Sequence, residues 1–407
     1  MKKIISLCLT VLLLLPINTV AKTLPETTVT SEFINEDMFE NDISDENDVT
    51  VDAASLTVDA KSAILMDVET NTILFEQDAH EKLAPASITK IMSMLLVVEA
   101  IEQGKITLED EVVCTENASS LGGSQIWLKP GESMTVHELL KAAAVGSAND
   151  AITLLGEYVS GSDTAFVTAM NNRAKELNMV NTNFVNCTGL DADGHYTTAY
   201  DIAIMSAELI KHDIIKEYTT IWIDYLRDGK TQLVNTNKLV RFYEGTTGLK
   251  TGTTDKAGYC LSATAERDGM NLVAVVLAAK DSKERFNGVK RMLNFGFSNW
   301  TKFQPQVDLT KLDTVKLIHG VEKTVEVEVE QLDSILIEKG TEKQYTVDIK
   351  LAEQMEAPVK RGQSVGVVSV LKGSECIKQY NICAKKSVNK LGFFRSLVIL
   401  LKKMVNL

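Results

Sequence analysis

The chain has 407 residues, 45% hydrophobic and 24% charged, an ordinary globular composition with length for two domains or one large one. Its formal net charge of −13 argues against nucleic acid as a partner. Its histidines are scattered without metal-ligand spacing, so neither a metal nor any other cofactor is expected.

Residues 1–21 read as an export signal: Lys2 and Lys3, the apolar stretch Ile4 to Leu15, then a small-residue cleavage site at Thr19-Val20-Ala21. Residues 22–55 are polar, with Glu32, Glu36, Asp37, Glu40, Asp42, Asp45, Glu46, Asp48 and Asp52 and no basic residue between Glu32 and Asp52. Like charges repel there and little apolar surface is on offer, which predicts a disordered spacer. Beyond the signal, Cys114, Cys187, Cys260, Cys376 and Cys383 form no disulfide framework. Cys376 and Cys383 are spaced to pair across a strand turn, or all are buried thiols.

Folded structure is expected from Leu56. Ala63 to Asp67 and Thr72 to Glu76 read as a hairpin about Glu69-Thr70-Asn71. At Pro85-Ala86-Ser87-Ile88-Thr89-Lys90 a helix should begin. It continues through an all-round apolar run from Ile91 to Val98, as a buried central helix does, and stops at Gly104. Residues three apart share a helical face, so the Ser87 hydroxyl and the Lys90 amine can meet. A serine is a poor nucleophile until a base takes its proton, and a lysine is that base if its pKa is depressed. Thr135 to Glu138 is a capping box opening a helix to about Val145, and a second helix spans Asp150 to Val159 before Gly161. Ser147 and Asn149 are therefore placed on the turn between them. Lys250-Thr251-Gly252-Thr253 precedes two strands, Tyr259 to Ala265 and Met270 to Ala278, joined at Arg267-Asp268-Gly269. A strand carrying Lys250 and Gly252 can offer a free edge to which an extended peptide adds by main-chain hydrogen bonds.

After Trp300 the pattern changes. Alternating runs such as Val325-Glu326-Val327-Glu328-Val329-Glu330 predict half-buried strands, hence a small all-β domain over 304–386. In 387–407, Arg395, Lys402, Lys403 and Asn406 project to one side of a helix. Phe393, Phe394, Leu397, Val398, Leu400, Leu401, Met404 and Val405 project to the other, with Ile399 the exception. Such a helix reads as lying in a membrane interface, or as packing back on the β domain.

S-x-x-K at 87–90, S-x-N at 147–149 and K-T-G at 250–252, in that order, are the signature of penicillin-binding proteins and class A β-lactamases. The chain resembles the low-molecular-mass penicillin-binding proteins that act as serine-type D-alanyl-D-alanine carboxypeptidases, the S11 peptidase family. The resemblance is carried by PASITK at 85–90, LGGSQIW at 121–127, VGSANDA at 145–151, MNNRAKELNMVNTNFVNCTGL at 170–190 and TTGLKTGTTDKAGYC at 246–260. APVKRGQSVG at 357–366 resembles the family's C-terminal β domain.

The resemblance implies a mixed α/β transpeptidase fold over 56–303, with an antiparallel sheet between helices and Ser87 and Lys90 beside a helical subdomain. It implies Ser87 as nucleophile and Lys90 as base, with the charge of Lys250 keeping Lys90 neutral. Ser147 would relay a proton to the leaving amine. Asn149 would bind the substrate amide and help position Lys90. The N–H groups of Ser87 and Thr253, the latter beside Gly252, would form the oxyanion hole. Lys250 and Thr251 would bind the terminal carboxylate of a peptidoglycan stem ending in D-Ala-D-Ala, and β-lactams would acylate Ser87. Arg285 stands where relatives often place a further carboxylate-binding arginine, although its Lys-Glu-Arg-Phe context is equally that of a surface charge. Two departures stand out: alanine at the centre of Ser-Ala-Asn, and Thr253 where some relatives have histidine. The rival readings are a D,D-endopeptidase of the same family, a β-lactamase and a non-catalytic wall-binding protein. For the β-lactamase, Ala174 falls where E-x-x-L-N needs its glutamate.

Overall fold

The computed structural model describes residues 56–308 and 312–393, together with 397, 398 and 401. The expected signal and acidic spacer lie outside the described residues, as does most of the terminal helix.

The centre is an antiparallel sheet of β1 (Ala60–Asp67), β2 (Ile73–Gln77), β3 (Thr246–Thr254), β4 (Gly258–Arg267) and β5 (Met270–Ala279), in the order β2-β1-β5-β4-β3. The β5 sequence, MNLVAVVLAA, is apolar on both faces because both faces are covered. Its hairpin with β4 turns at Asp268 and Gly269, both at positive φ (50° and 74°), the combination that matches strand twist.

One face packs on the helix Ser282–Asn299, through Phe286, Val289, Met292 and Leu293. The other packs on helices that build a second lobe: α1 (Lys90–Glu102), α2 (Val136–Val145), α3 (Asn149–Ser160), α4 (Asp163–Glu176) and α5 (Ala199–Ile210). α1 is central, as its composition predicts. Ile91, Met92, Met94, Leu95, Val97 and Val98 are all fully buried. Arg173 on α4 ties the lobe together by pairing with Glu99 of α1 (2.7 Å) and Glu208 of α5 (2.8 Å). The predicted capping box at Thr135 and Glu138 is present. The α3 helix begins at Asn149 rather than Asp150, with Ala148 as its N-cap, and Gly161 closes it at φ 82°.

Among the described residues, the β-rich remainder forms three sheets. Trp300–Phe303 pairs with Ile335–Glu338, so residues placed with the preceding domain by the sequence belong to this pairing. Val315–Ile318 lies between Thr324–Val325 and Gln354–Glu356, and Val327–Val329, Glu375–Ala384, Ser364–Lys372 and Tyr345–Leu351 form the third sheet. The Val325–Glu330 alternation is thus not one strand. It breaks at Glu326, and Val325, fully buried, belongs to a different sheet from Val327. Cys376 and Cys383 do not face each other across a turn. Both lie on Glu375–Ala384, about 23 Å apart at the rise of an extended strand, with Cys376 exposed and Cys383 half-buried; Cys114, Cys187 and Cys260 are buried thiols. Residues 387–391 are not helical. Val388 bridges Val359 and Lys390 bridges Gly320, which carries the β pairing past the expected boundary at 386.

Candidate active site

Ser87 lies in a single 3-10 turn, Ala86–Thr89, that runs into α1 at Lys90. The Lys90 side chain is fully buried, with Nζ 3.0 Å from Ser87 Oγ and donating to the Thr188 carbonyl at 2.8 Å. Burial pushes its pKa down to about 7, against the upward pull of Cys187 and Asp150. Lys250 is not among the groups that depress it. The electrostatic pressure expected from that residue falls instead on Lys250 itself, which burial, then Lys90 and Arg285, hold well below the lysine range. Two ammonium groups in one dry cleft cannot both stay charged.

The Asn186–Leu190 loop is what holds Lys90. The Asn186 Oδ1 atom accepts from Thr188 N (3.2 Å), Thr188 Oγ1 (3.1 Å) and Gly189 N (2.7 Å), closing a tight turn that aims the Thr188 carbonyl. Gly189, at φ 89°, lies against the Ser87 turn so closely that a Cβ there would fall 1.7 Å from the Ala86 carbonyl oxygen.

Ser147 sits between α2 and α3 at φ 61°, nearly buried. The Asn149 N–H donates to Ser124 O (2.7 Å) and its Nδ2 to Gly122 O (2.7 Å), while buried Oδ1 has no partner among the described residues. Asp150, fully buried, accepts from the N–H groups of Ile126 (3.2 Å) and Leu128 (3.0 Å). The 121–128 loop is therefore clamped to the start of α3. No hydrogen bond joins Asn149 to Lys90 among the described residues; the positioning expected of Asn149 is supplied by Thr188.

β3 is an edge strand, as the K-T-G reading requires. Gly252 passes so near the Ser87 turn that a Cβ would lie 3.0 Å from both Ser87 N and Pro85 O. Lys250 is fully buried, with Nζ 3.3 Å from Thr251 O and 3.5 Å from Thr236 Oγ1, to which Thr251 Oγ1 donates at 2.7 Å. Arg285 is not a surface charge. It is 9% exposed on the Ser282–Asn299 helix, and its Nη1 reaches Thr253 Oγ1 (3.0 Å), Gly252 O (3.3 Å) and Cys260 O (3.4 Å) from behind the strand.

The profile of the D-alanyl-D-alanine carboxypeptidase family, peptidase S11, matches residues 47–281, and that of the penicillin-binding protein 5 C-terminal domain matches 301–390. The chain is 43% identical over 344 residues to the D-alanyl-D-alanine carboxypeptidase DacF of Bacillus subtilis, covering 84% of this chain and 88% of that one. The chain belongs to the S11 family of serine-type D-alanyl-D-alanine carboxypeptidases.

The fold of this carboxypeptidase agrees with its sequence. It superposes on penicillin-binding protein 5 of Haemophilus influenzae with a TM-score of 0.71 at 28% identity, over 82% of this chain and 98% of that one. Penicillin-binding protein D2 of Listeria monocytogenes, solved in its ampicillin-bound form, superposes at 0.55 with 34% identity, over 60% of this chain and 99% of that one. Among the residues around the site of the carboxypeptidase, the sequence reading gave no part in the site to Asn186, Thr188, Thr236 or Asp150, the last of which it placed only as a helix start. Thr236 carries no local pattern at all. Asn186 and Thr188 lie inside a stretch that carries the resemblance, where Asn-x-Thr-Gly is a turn signal that assigns no chemistry.

Proposed function

We propose that Ser87 attacks the carbonyl between the two terminal D-alanines of a peptidoglycan stem, releasing D-alanine and leaving an acyl-enzyme that water then hydrolyses. The observation that carries this reading is the pair itself: a serine hydroxyl 3.0 Å from a fully buried lysine amine whose pKa is about 7. Neutral Lys90 takes the Ser87 proton as the C–O bond forms. Ser147 passes a proton to the departing amine, so the leaving group exits neutral. The unpartnered Oδ1 of Asn149 accepts the substrate amide N–H. The backbone N–H groups of Ser87 and Thr253, brought close by Gly252, receive the developing oxyanion, each worth about 10² to 10³ in rate.

The C-terminal carboxylate is received by Lys250, Thr251 and Thr236, with Arg285 behind the strand adding positive potential. A bound carboxylate raises the Lys250 pKa and restores its charge, so substrate completes its own binding site. β-Lactams enter as covalent inhibitors of the same serine.

The protein works exported, at the outer face of the membrane. Supporting the interfacial reading of the terminal segment, Phe393, Leu397 and Leu401 are spaced to share a helical face and all three are exposed. No helix among the described residues is long and apolar enough to cross a membrane.

The test is incubation with benzylpenicillin and peptide mass mapping, followed by D-alanine release from diacetyl-Lys-D-Ala-D-Ala. A stable adduct on Ser87, lost in Ser87→Ala and Lys90→Ala together with D-alanine release, is the expected outcome. Rapid drug hydrolysis without an adduct would make the protein a β-lactamase instead.

A further inference from the structure

The 121–128 loop does more than hold Asn149. At its end Trp127 is 73% exposed, the most exposed tryptophan of the described chain, and its backbone is left-handed at φ 53°. A bulky residue pays for that conformation, and such strain collects where a side chain has to be presented. The indole borders a groove whose other members include Lys129, Pro130, Glu132, Arg227 and Thr231. The polar groups are organised among themselves. Arg227 donates through Nε to Glu132 (2.7 Å) and through Nη1 to the Ile126 carbonyl (2.9 Å) and Thr231 Oγ1 (3.0 Å), and the other Glu132 oxygen accepts the Lys129 N–H (3.0 Å).

Both walls of this groove run straight into the site. On one side, Ser124 accepts from the Asn149 N–H and Ile126 and Leu128 donate to Asp150. On the other, the hairpin Ile223–Val234 carries Arg227 and Thr231 and leads within two residues to Thr236, the partner of Lys250 and Thr251. Only Gln125 and Ile126 separate Ser124 from Trp127, so the tryptophan backbone lies within about 11 Å of the residue that accepts from the Asn149 N–H.

We propose that this groove binds a sugar ring of the glycan strand from which the stem peptide hangs. The inference rests on the carboxypeptidase reading for the peptide and concerns the opposite end of the same substrate. A flat exposed indole offers its face to the C–H groups of a pyranose. The paired Arg227 and Glu132 offer polar edges to hydroxyl and N-acetyl groups while cancelling most of each other's charge, which suits an uncharged polar ring better than an acidic or diamino side chain.

The experiment compares D-alanine release from one pentapeptide, free and carried on the N-acetylglucosaminyl-N-acetylmuramyl disaccharide. Wild-type protein should favour the disaccharide form in kcat/KM by about tenfold, chiefly through KM, and Trp127→Ala should bring that ratio close to one. Trp127→Phe should retain most of the preference. As a second reading, the disaccharide alone should quench wild-type tryptophan fluorescence and leave Trp127→Phe unaltered. A wild-type ratio of one, or a ratio unchanged by Trp127→Ala, overturns the sugar subsite while leaving the peptidase intact. Loss of release from the free peptide by wild-type protein would instead overturn the peptidase reading.

Discussion

Lys90 shows how a single residue acquires chemistry from its surroundings. An amine with a pKa of about 7 is neutral in a large fraction of molecules at neutral pH, whereas an exposed lysine is almost never so. In the proposed mechanism the neutral form is the base, so acylation by benzylpenicillin should rise about tenfold per pH unit below roughly pH 7 and then level off. Rapid-quench mass measurements from pH 5.5 upward would show this. A flat profile across that range would remove Lys90 as the base. A second buried group acts on stability instead. The Val185 N–H donates to His195 Nδ1 (3.0 Å), so Nε2 carries the proton and donates to Thr89 Oγ1 (2.8 Å), beside the Ser87 turn. Burial depresses the His195 pKa from 6.5 to about 4. Between these values the unfolded chain binds a proton that the folded protein refuses. The contribution of His195 is therefore intact above about pH 6.5 and is lost as the pH falls towards 4, by roughly 3 kcal/mol in all. Replacing His195 with Gln should flatten that part of the denaturation midpoint against pH; an unchanged slope would assign the acid loss to other groups.

At the scale of elements, the site is a place where three backbones touch. The Ser87 turn lies between β3, approaching through Gly252, and the Asn186–Leu190 loop, approaching through Gly189. Neither approach tolerates a Cβ without movement, and at Gly189 the obstacle is backbone, which cannot rotate away. Gly189→Ala should therefore cost about 2 kcal/mol or more in stability and displace the Thr188 carbonyl from Lys90. Chemical denaturation would report the first effect, and a fall in acylation rate larger than any change in reversible affinity would report the second. Normal stability with normal acylation would show that the loop yields more easily than its packing implies. The same scale explains where pattern reading succeeded and where it fell short. The β4–β5 hairpin, α1 and the Thr135 capping box were legible because the residues that specify them are adjacent in sequence. The break at Glu326 was not, because alternation states which face a side chain takes and is silent on which sheet its strand joins.

For the whole molecule, the two folded regions are tied at Lys302. This side chain, only 6% exposed, sits on Trp300–Phe303 and pairs with fully buried Asp67 at the end of β1 (2.9 Å) and with half-exposed Glu69 (2.7 Å). Lys302→Met would leave the Asp67 carboxylate buried without its counter-charge, at a cost of up to about 3 kcal/mol. Calorimetry should register a drop of several degrees in the melting of the region containing β1, with acylation at low temperature preserved because Ser87 and Lys90 lie elsewhere in the fold. An unchanged melting profile would mean that the β sheets hang on the peptidase by other contacts.

By itself, the sequence determined the main helices and hairpins, the change to a β-rich region after Trp300, and the identities of Ser87, Lys90, Ser147 and Lys250 as candidates, while the mixed α/β class came through the family resemblance that those motifs carry. Each of those rests on spacing of a few residues or on a motif that survives as a string. The tertiary structure alone decided what surrounds them. It placed Thr188 as the partner of Lys90, brought Thr236 to Lys250, buried Arg285 behind the K-T-G strand and turned Trp127 outward over a groove. Burial and contact between residues tens to a hundred positions apart depend on how the lobes close, and no local pattern encodes that.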